Sequence, residues 1–186
     1  MVALGTVLSI VSIGLPFGGT VTAGAMIPLV FISQTYGTKW GLFTCTVYGL
    51  LQMVLGLDNF GYAATAAAFI MILLFDYLAA YASVGFSGLT RKMKSRAAAG
   101  ALGAVIGCAC RFVCHFISGA FVWGQWAEVS ALPEFLQSSR LAQPDVLIYS
   151  YSFFYNLTYM LPETILTVIG MLIISRIKTD SLISEN

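Results

Sequence analysis

Charge is scarce in this chain. Eight acidic and nine basic side chains make up 9% of its 186 residues and leave a net charge of +1. That balance excludes the strongly basic surface needed to neutralise a phosphate backbone, so no nucleic-acid partner is expected. Histidine occurs once and cysteine four times. Cys45, Cys108, Cys110 and Cys114 all fall inside apolar segments, which argues against disulfides at an outer face. The run from Cys108 to His115 invites a zinc reading, but Cys108 and Cys110 point to nearly opposite sides of a helix. Packing as small hydrophobes is the favoured reading, and neither metal nor cofactor is expected. There is no GxxxxGK[ST] phosphate loop and no domain outside the apolar segments to hold one, so any chemical energy has to come from partners. The first apolar stretch lacks a basic leader and a small-residue cleavage site, so it is not read as a signal peptide. At about 18 Å of helix it is also short for a span, which leaves open whether Met1 is the true start.

What the chain has in abundance is apolar surface: 59% hydrophobic residues and a mean hydropathy of +0.88. No soluble domain of this size needs so much. Apolar segments at 2–13, 23–35, 40–57, 63–89, 97–123 and 152–175 predict an all-α membrane protein of six transmembrane helices, one membrane domain over 1–186. Pro28 interrupts the second segment. The loop from Gly14 to Gly19 is too apolar for water and is expected to fold back into protein. Arg91, Lys92, Lys94 and Arg96 form the one strongly basic loop. With six spans it falls on the same side as Lys39, Arg176 and Lys178. That side is therefore cytoplasmic and both termini lie inside. The Asp58 turn and the polar connection 128–145 lie outside.

The stretch from Arg96 to Trp126 places ionisable groups inside a bilayer-length segment. Arg111 and His115 are four apart and share a helix face, which Ser118, Gly119 and Trp123 continue. His115 lies roughly 12 Å below the outer interface marked by Trp123. Asp76 in the fourth segment reaches a similar depth, and Tyr151 and Asn156 open the sixth from the same side. Buried ionisable groups by default mark a substrate or ion pathway, and this convergence predicts a pocket in the outer half of the membrane, open to the exterior. Below it, Ala97, Gly100, Gly103, Ala104 and Gly107 favour close helix packing instead. Each group also has a plainer reading. Asp76 and Arg111 can neutralise one another as a structural pair, with Glu163 a rival partner for Arg111. Trp123, Trp126 and Tyr149 can be interfacial belt aromatics, and His115 a satisfied core histidine.

Four motifs sharpen this picture: YGLLQ (Tyr48 to Gln52), FDYLAAYA (Phe75 to Ala82), RFVCHFISGAFVWGQWA (Arg111 to Ala127) and YSFFYNLTYMLPE (Tyr151 to Glu163). Together they resemble the ThiT family, the thiamine-binding S-components of energy-coupling factor transporters. The resemblance implies a compact six-helix bundle in the bacterial plasma membrane that captures thiamine from outside. It also implies association with an energising module of one transmembrane coupling protein and two ATPases. Matched by motif, the implied substrate-binding residues are Asp76, Tyr77, Arg111, His115, Gly119, Trp123, Tyr151 and Asn156. The family more often carries Glu where this chain has Asp76. Its first loop acts as a lid, for which this chain offers Phe17. It has a tyrosine before the acidic residue at a spacing this chain lacks, Tyr62 lying further upstream. Small residues on its first helix dock the coupling protein; Ala3 matches, whereas Val7 stands where a second small residue is expected.

Thiamine carries a permanent thiazolium cation and a flat aminopyrimidine. A carboxylate in a dry pocket suits the cation, and an indole face adds about 1–2 kcal/mol by stacking or cation–π contact. Arg111 beside Asp76 is expected to keep that carboxylate ionised in the empty pocket. An S-component for another flat vitamin or a thiamine precursor is the near alternative. A proton-coupled secondary transporter with Asp76 as proton carrier is a further one. A membrane enzyme using Asp76 and His115 as acid and base lacks a nucleophile or metal set of adequate spacing, so no enzyme is expected.

Overall fold

The computed structural model describes residues 1–15 and 19–177. Its main elements are α1 (Val2–Ile10), strands β1 (Ser12–Gly14) and β2 (Thr20–Thr22), α2 (Met26–Tyr36), α3 (Thr38–Leu55), α4 (Ala66–Thr90), α5 (Arg96–Phe121) and α6 (Pro144–Arg176). A 3-10 turn over Leu57–Tyr62 joins α3 to α4, and another over Trp123–Trp126 follows α5. With 25, 26 and 33 residues, α4, α5 and α6 are long and apolar enough to cross a bilayer. With 9 and 11 residues, α1 and α2 are the short members of the bundle.

α2 runs through the middle of the protein. Met26, Leu29 and Val30 are fully buried and join Cys45 and Tyr48 of α3, Val84 of α4, Ala104 and Cys108 of α5, and Met160 and Met171 of α6 in one core. Two glycines on α5 let its neighbours come close. A Cβ at Gly103 would run into Ser87, Thr90 and Gln34, and one at Gly107 would press on Val84 and Ser87. The small-residue stripe therefore packs α5 against the end of α4, as helices without a hydrophobic driving force between them require. Gln34 donates from Nε2 to Thr90 Oγ1 at 2.7 Å and to the Ser87 carbonyl, fastening α2 to the same corner. At the tip of the basic loop Arg91 Nη1 donates to the Tyr36 carbonyl at 3.2 Å.

Several local features depart from the sequence expectation. Pro28 does not interrupt α2, because the helix starts at Met26 and Pro28 falls in its first turn, where the missing N–H has no intrahelical partner to lose. α6 begins at Pro144 rather than at residue 152, with Pro144 in its first turn and Asp145 beside it. The first loop is an antiparallel ribbon, pairing Ser12 with Thr22 and Gly14 with Thr20. It is tied inward, since the Thr22 hydroxyl donates to Glu163 on α6. Phe17, the lid residue implied by the family resemblance, and Lys178 lie outside the described residues.

Candidate ligand-binding site

At the end of the bundle away from the Arg91–Arg96 loop lies a cavity of about 480 Å³. All eight residues singled out in the sequence line it: Asp76, Tyr77, Arg111, His115, Gly119, Trp123, Tyr151 and Asn156. They come from three long helices and one turn, and each is aimed inward for a local reason.

Asp76 and Tyr77 sit in a π-helical segment of α4, Ile72–Leu78, whose wide turn is marked by the Ala79 N–H donating to the Leu74 carbonyl five residues back. Asp76 and Tyr77 from this wide turn and Tyr81 from the regular helix after it all line the cavity. Arg111, His115 and Gly119 follow at successive turns along α5. Trp123 stands just past the end of α5, in the 3-10 turn, where Tyr62 leans on it with ring centroids 5.3 Å apart. Along α6, Tyr151, Tyr155 and Tyr159 form one aromatic stripe, Tyr151 and Tyr155 stacked at 5.7 Å.

A continuous run of hydrogen bonds crosses the floor. Thr22 Oγ1 donates to Glu163 Oε1, and Arg111 Nη1 donates to Glu163 Oε2 at 2.7 Å. Arg111 Nε donates to His115 Nε2 at 3.2 Å. A guanidinium has no acceptor, so His115 Nε2 carries a lone pair there and the ring proton sits on Nδ1. His115 Nδ1 then donates to Asp76 Oδ1 at 3.3 Å, the longest link of the run. Trp123 Nε1 donates to the other oxygen, Asp76 Oδ2, at 3.1 Å. The Tyr81 ring lies under Arg111, its centroid 4.7 Å from the guanidinium carbon.

The charges sort cleanly along this run. Arg111 and Glu163, 5% and 1% exposed, neutralise one another in a buried pair. Asp76 is held by two neutral donors and, among the described residues, has no Lys or Arg partner. Its side chain keeps 15% of its exposure and that of His115 11%, so both remain in reach of the cavity. Of the two partners the sequence offers Arg111, Asp76 and Glu163, it is Glu163 that takes the guanidinium. The rival carboxylate wins because α5 and α6 cross closely enough to put Glu163 directly against the guanidinium, whereas an imidazole stands between Arg111 and Asp76.

Not every lining residue offers its polar atoms to a ligand. Asn156 spends its carboxamide on protein: Nδ2 donates to the Ser152 carbonyl at 2.8 Å and to the His115 carbonyl at 3.3 Å, and Oδ1 accepts from the Tyr159 hydroxyl. The Tyr77 hydroxyl donates to the Gly56 carbonyl and accepts from Asn59, which anchors the turn after α3. Gly119 makes room: a Cβ there would strike Ser152 and Asn156 of α6. Sequence reasoning passed over Tyr62, Tyr81, Tyr155 and Tyr159 as lining residues. The fourfold spacings from Tyr77 to Tyr81 and through Tyr151, Tyr155 and Tyr159 were the signal available for most of them.

The family described as thiamine transporter protein matches residues 1–183. Thiamine transporter ThiT of Bacillus subtilis (strain 168) is 32% identical over 182 residues, covering 91% of this chain and 83% of that protein. The solved structure of ThiT from Listeria monocytogenes superposes with a TM-score of 0.69 over 96% of this chain and 91% of that one. At 20% identity the second likeness speaks for the fold alone. With three helices fit to cross a bilayer, this is a multi-pass membrane protein of a transporter family, not an enzyme. The chain belongs to the thiamine transporter protein family.

Proposed function

We propose that this chain is the thiamine-capturing membrane subunit of an ATP-driven vitamin transporter of the energy-coupling factor type, residing in the bacterial plasma membrane. The observation that carries the proposal is Asp76: a carboxylate with no Lys or Arg partner among the described residues, turned toward a cavity walled by tryptophan and tyrosine rings. A permanent cation on a flat heterocycle is the complementary ligand, and about 480 Å³ suits a molecule of vitamin size. Asp76 receives the cationic or amino-bearing part of the ligand. Trp123 and Tyr151 supply ring faces, and His115 stands beside the carboxylate as a polarisable donor. Arg111, Tyr77, Asn156 and Gly119 hold the wall in shape. The cavity opens to the exterior, the Arg91–Arg96 loop faces the cytoplasm, and a coupling protein with two ATPases supplies the energy for release inward.

The test is a tryptophan-quench titration of purified protein with thiamine, its isolated pyrimidine and thiazole halves, and riboflavin. Saturable binding strongest for intact thiamine supports the proposal. No saturable thiamine signal, or tighter binding of riboflavin, removes it.

A further inference from the structure

Glu163 lines the cavity from a buried position, and both of its oxygens are already engaged: Oε1 by the Thr22 hydroxyl and Oε2 by Arg111. Among the residues lining the cavity, Arg111 is the one permanent cation. Through Nε it touches His115, and the far side of that same imidazole touches Asp76. Two carboxylates therefore compete for one guanidinium across a single ring. Which of them wins decides whether the cavity presents a bare negative charge or a neutralised one.

We infer that Glu163 is a positioning residue for ligand charge: by holding Arg111 it keeps the guanidinium off Asp76 and so reserves that carboxylate for a cation. The buried Arg111–Glu163 pair is electrically closed, and the histidine between the pairs is fixed in its neutral, Nδ1-protonated form by Arg111 itself. The cavity thus carries one net negative charge, located at Asp76. If the Glu163 charge is removed, the buried guanidinium is left unmatched. It then either moves toward Asp76 or stays and repels a cationic ligand at short range in a poorly screened interior. Both outcomes weaken cation binding without altering any residue proposed to touch the ligand. The hairpin shares in this, because Thr22 pins the same carboxylate and so restrains its orientation toward Arg111.

The ligand arm of the test rests on the thiamine reading; the spectroscopic arm does not. Glu163→Gln keeps the shape and the acceptor toward Thr22 while deleting the charge. It is expected to weaken thiamine binding by roughly tenfold or more. The double variant Glu163→Gln/Arg111→Gln restores the charge balance and is expected to bind more tightly than the single one. Equal or weaker binding by the double variant overturns the inference, because a merely structural role makes the two losses add. Should Glu163→Gln fail to fold, a double variant that folds and binds thiamine supports the inference, and two unfolded variants overturn it.

The chain has a single histidine, so a 15N-histidine-labelled sample in detergent reports His115 alone. Ligand-free protein is expected to show a protonated Nδ1 and an unprotonated Nε2, with the Nε2 resonance moving in Glu163→Gln. An Nε2-protonated ring in the wild type, or an unchanged spectrum in the variant, overturns charge sorting even if thiamine proves not to be the ligand.

Discussion

At the scale of single residues, Asp76, Trp123 and Asn156 divide the work of the cavity wall. Asp76→Asn keeps an acceptor for His115 but removes the charge. Taking one partner from a desolvated ion pair costs about 2–5 kcal/mol, so thiamine affinity is expected to fall by roughly 30-fold or more. Thermal unfolding of the empty protein should change little, because no buried Lys or Arg among the described residues depends on Asp76. An unchanged titration would make the carboxylate a structural group. Trp123→Phe preserves a ring but deletes the N–H that reaches Asp76 at 3.1 Å. A net hydrogen bond of about 1 kcal/mol corresponds to a loss of roughly fivefold, with Trp123→Ala expected to lose more. Asn156 behaves differently. It is 3% exposed with its carboxamide bonded to α5 and to its own helix. Asn156→Leu should lower the thermal stability of the solubilised protein, by about 1–3 kcal/mol, as expected when buried polar groups lose their partner. A titration that suffers while stability holds would return Asn156 to the ligand.

At the scale of elements, the π-helical turn of α4 is what the cavity owes most to local geometry. Ile72 is fully buried against Tyr77 and Val122, Leu74 faces outward, and Asp76 faces the cavity. Deleting Leu74 removes an outward side chain and closes the wide turn to regular α-helical spacing, which changes the direction in which Asp76 leaves the helix relative to Ile72 before it and Tyr81 after it. The deletion variant is expected to keep its far-UV helical signal and lose thiamine binding; retained affinity would show that the wide turn is incidental. Hydropathy made the six apolar segments legible, and depth counting placed Asp76 level with His115, with Trp123 above them on the same face as His115, because both depend only on apolar run length and rise per residue. The π turn was not legible, since one extra residue in a turn leaves no mark on an apolar window. Nor was the choice of Glu163 over Asp76 as partner for Arg111. Two carboxylates at similar depth differ only in which helix crosses closest, and that is set by Gly119 and its neighbours on α5 packing against Ser152 and Asn156. The ribbon of β1 and β2 was equally hidden, for its Gly-rich sequence reads as a break rather than as paired strands.

At the scale of the whole molecule, the two ends of the bundle are chemically unlike. One holds the cavity, the hairpin and the Trp123 turn; the other holds Arg91, Lys92, Lys94 and Arg96. The proposed orientation, from the positive-inside rule, turns the second end toward the cytoplasm. In a background with the four cysteines replaced, a cysteine at Ser138 should react with an impermeant maleimide in intact cells. One at Lys92 should react only after permeabilisation, and the reverse pattern would invert the topology. This orientation puts the cavity where it can capture ligand but supplies no force to move it inward. Of the two carboxylates lining the cavity, Asp76 is the one without a Lys or Arg partner among the described residues, and its two donors are neutral. A ligand cation that satisfies it is held more tightly the better the charges match, which slows its release. On the proposed reading, the energy for release comes from a separate coupling protein and its ATPases. Liposomes containing this protein alone are therefore expected to bind thiamine at the outer face yet accumulate none, with or without a pH gradient. Adding the coupling protein and its ATPases should confer uptake that depends on internal ATP. Accumulation by the protein alone under a pH gradient would instead make Asp76 a proton carrier, and the unpartnered carboxylate would then be waiting for a proton rather than a vitamin.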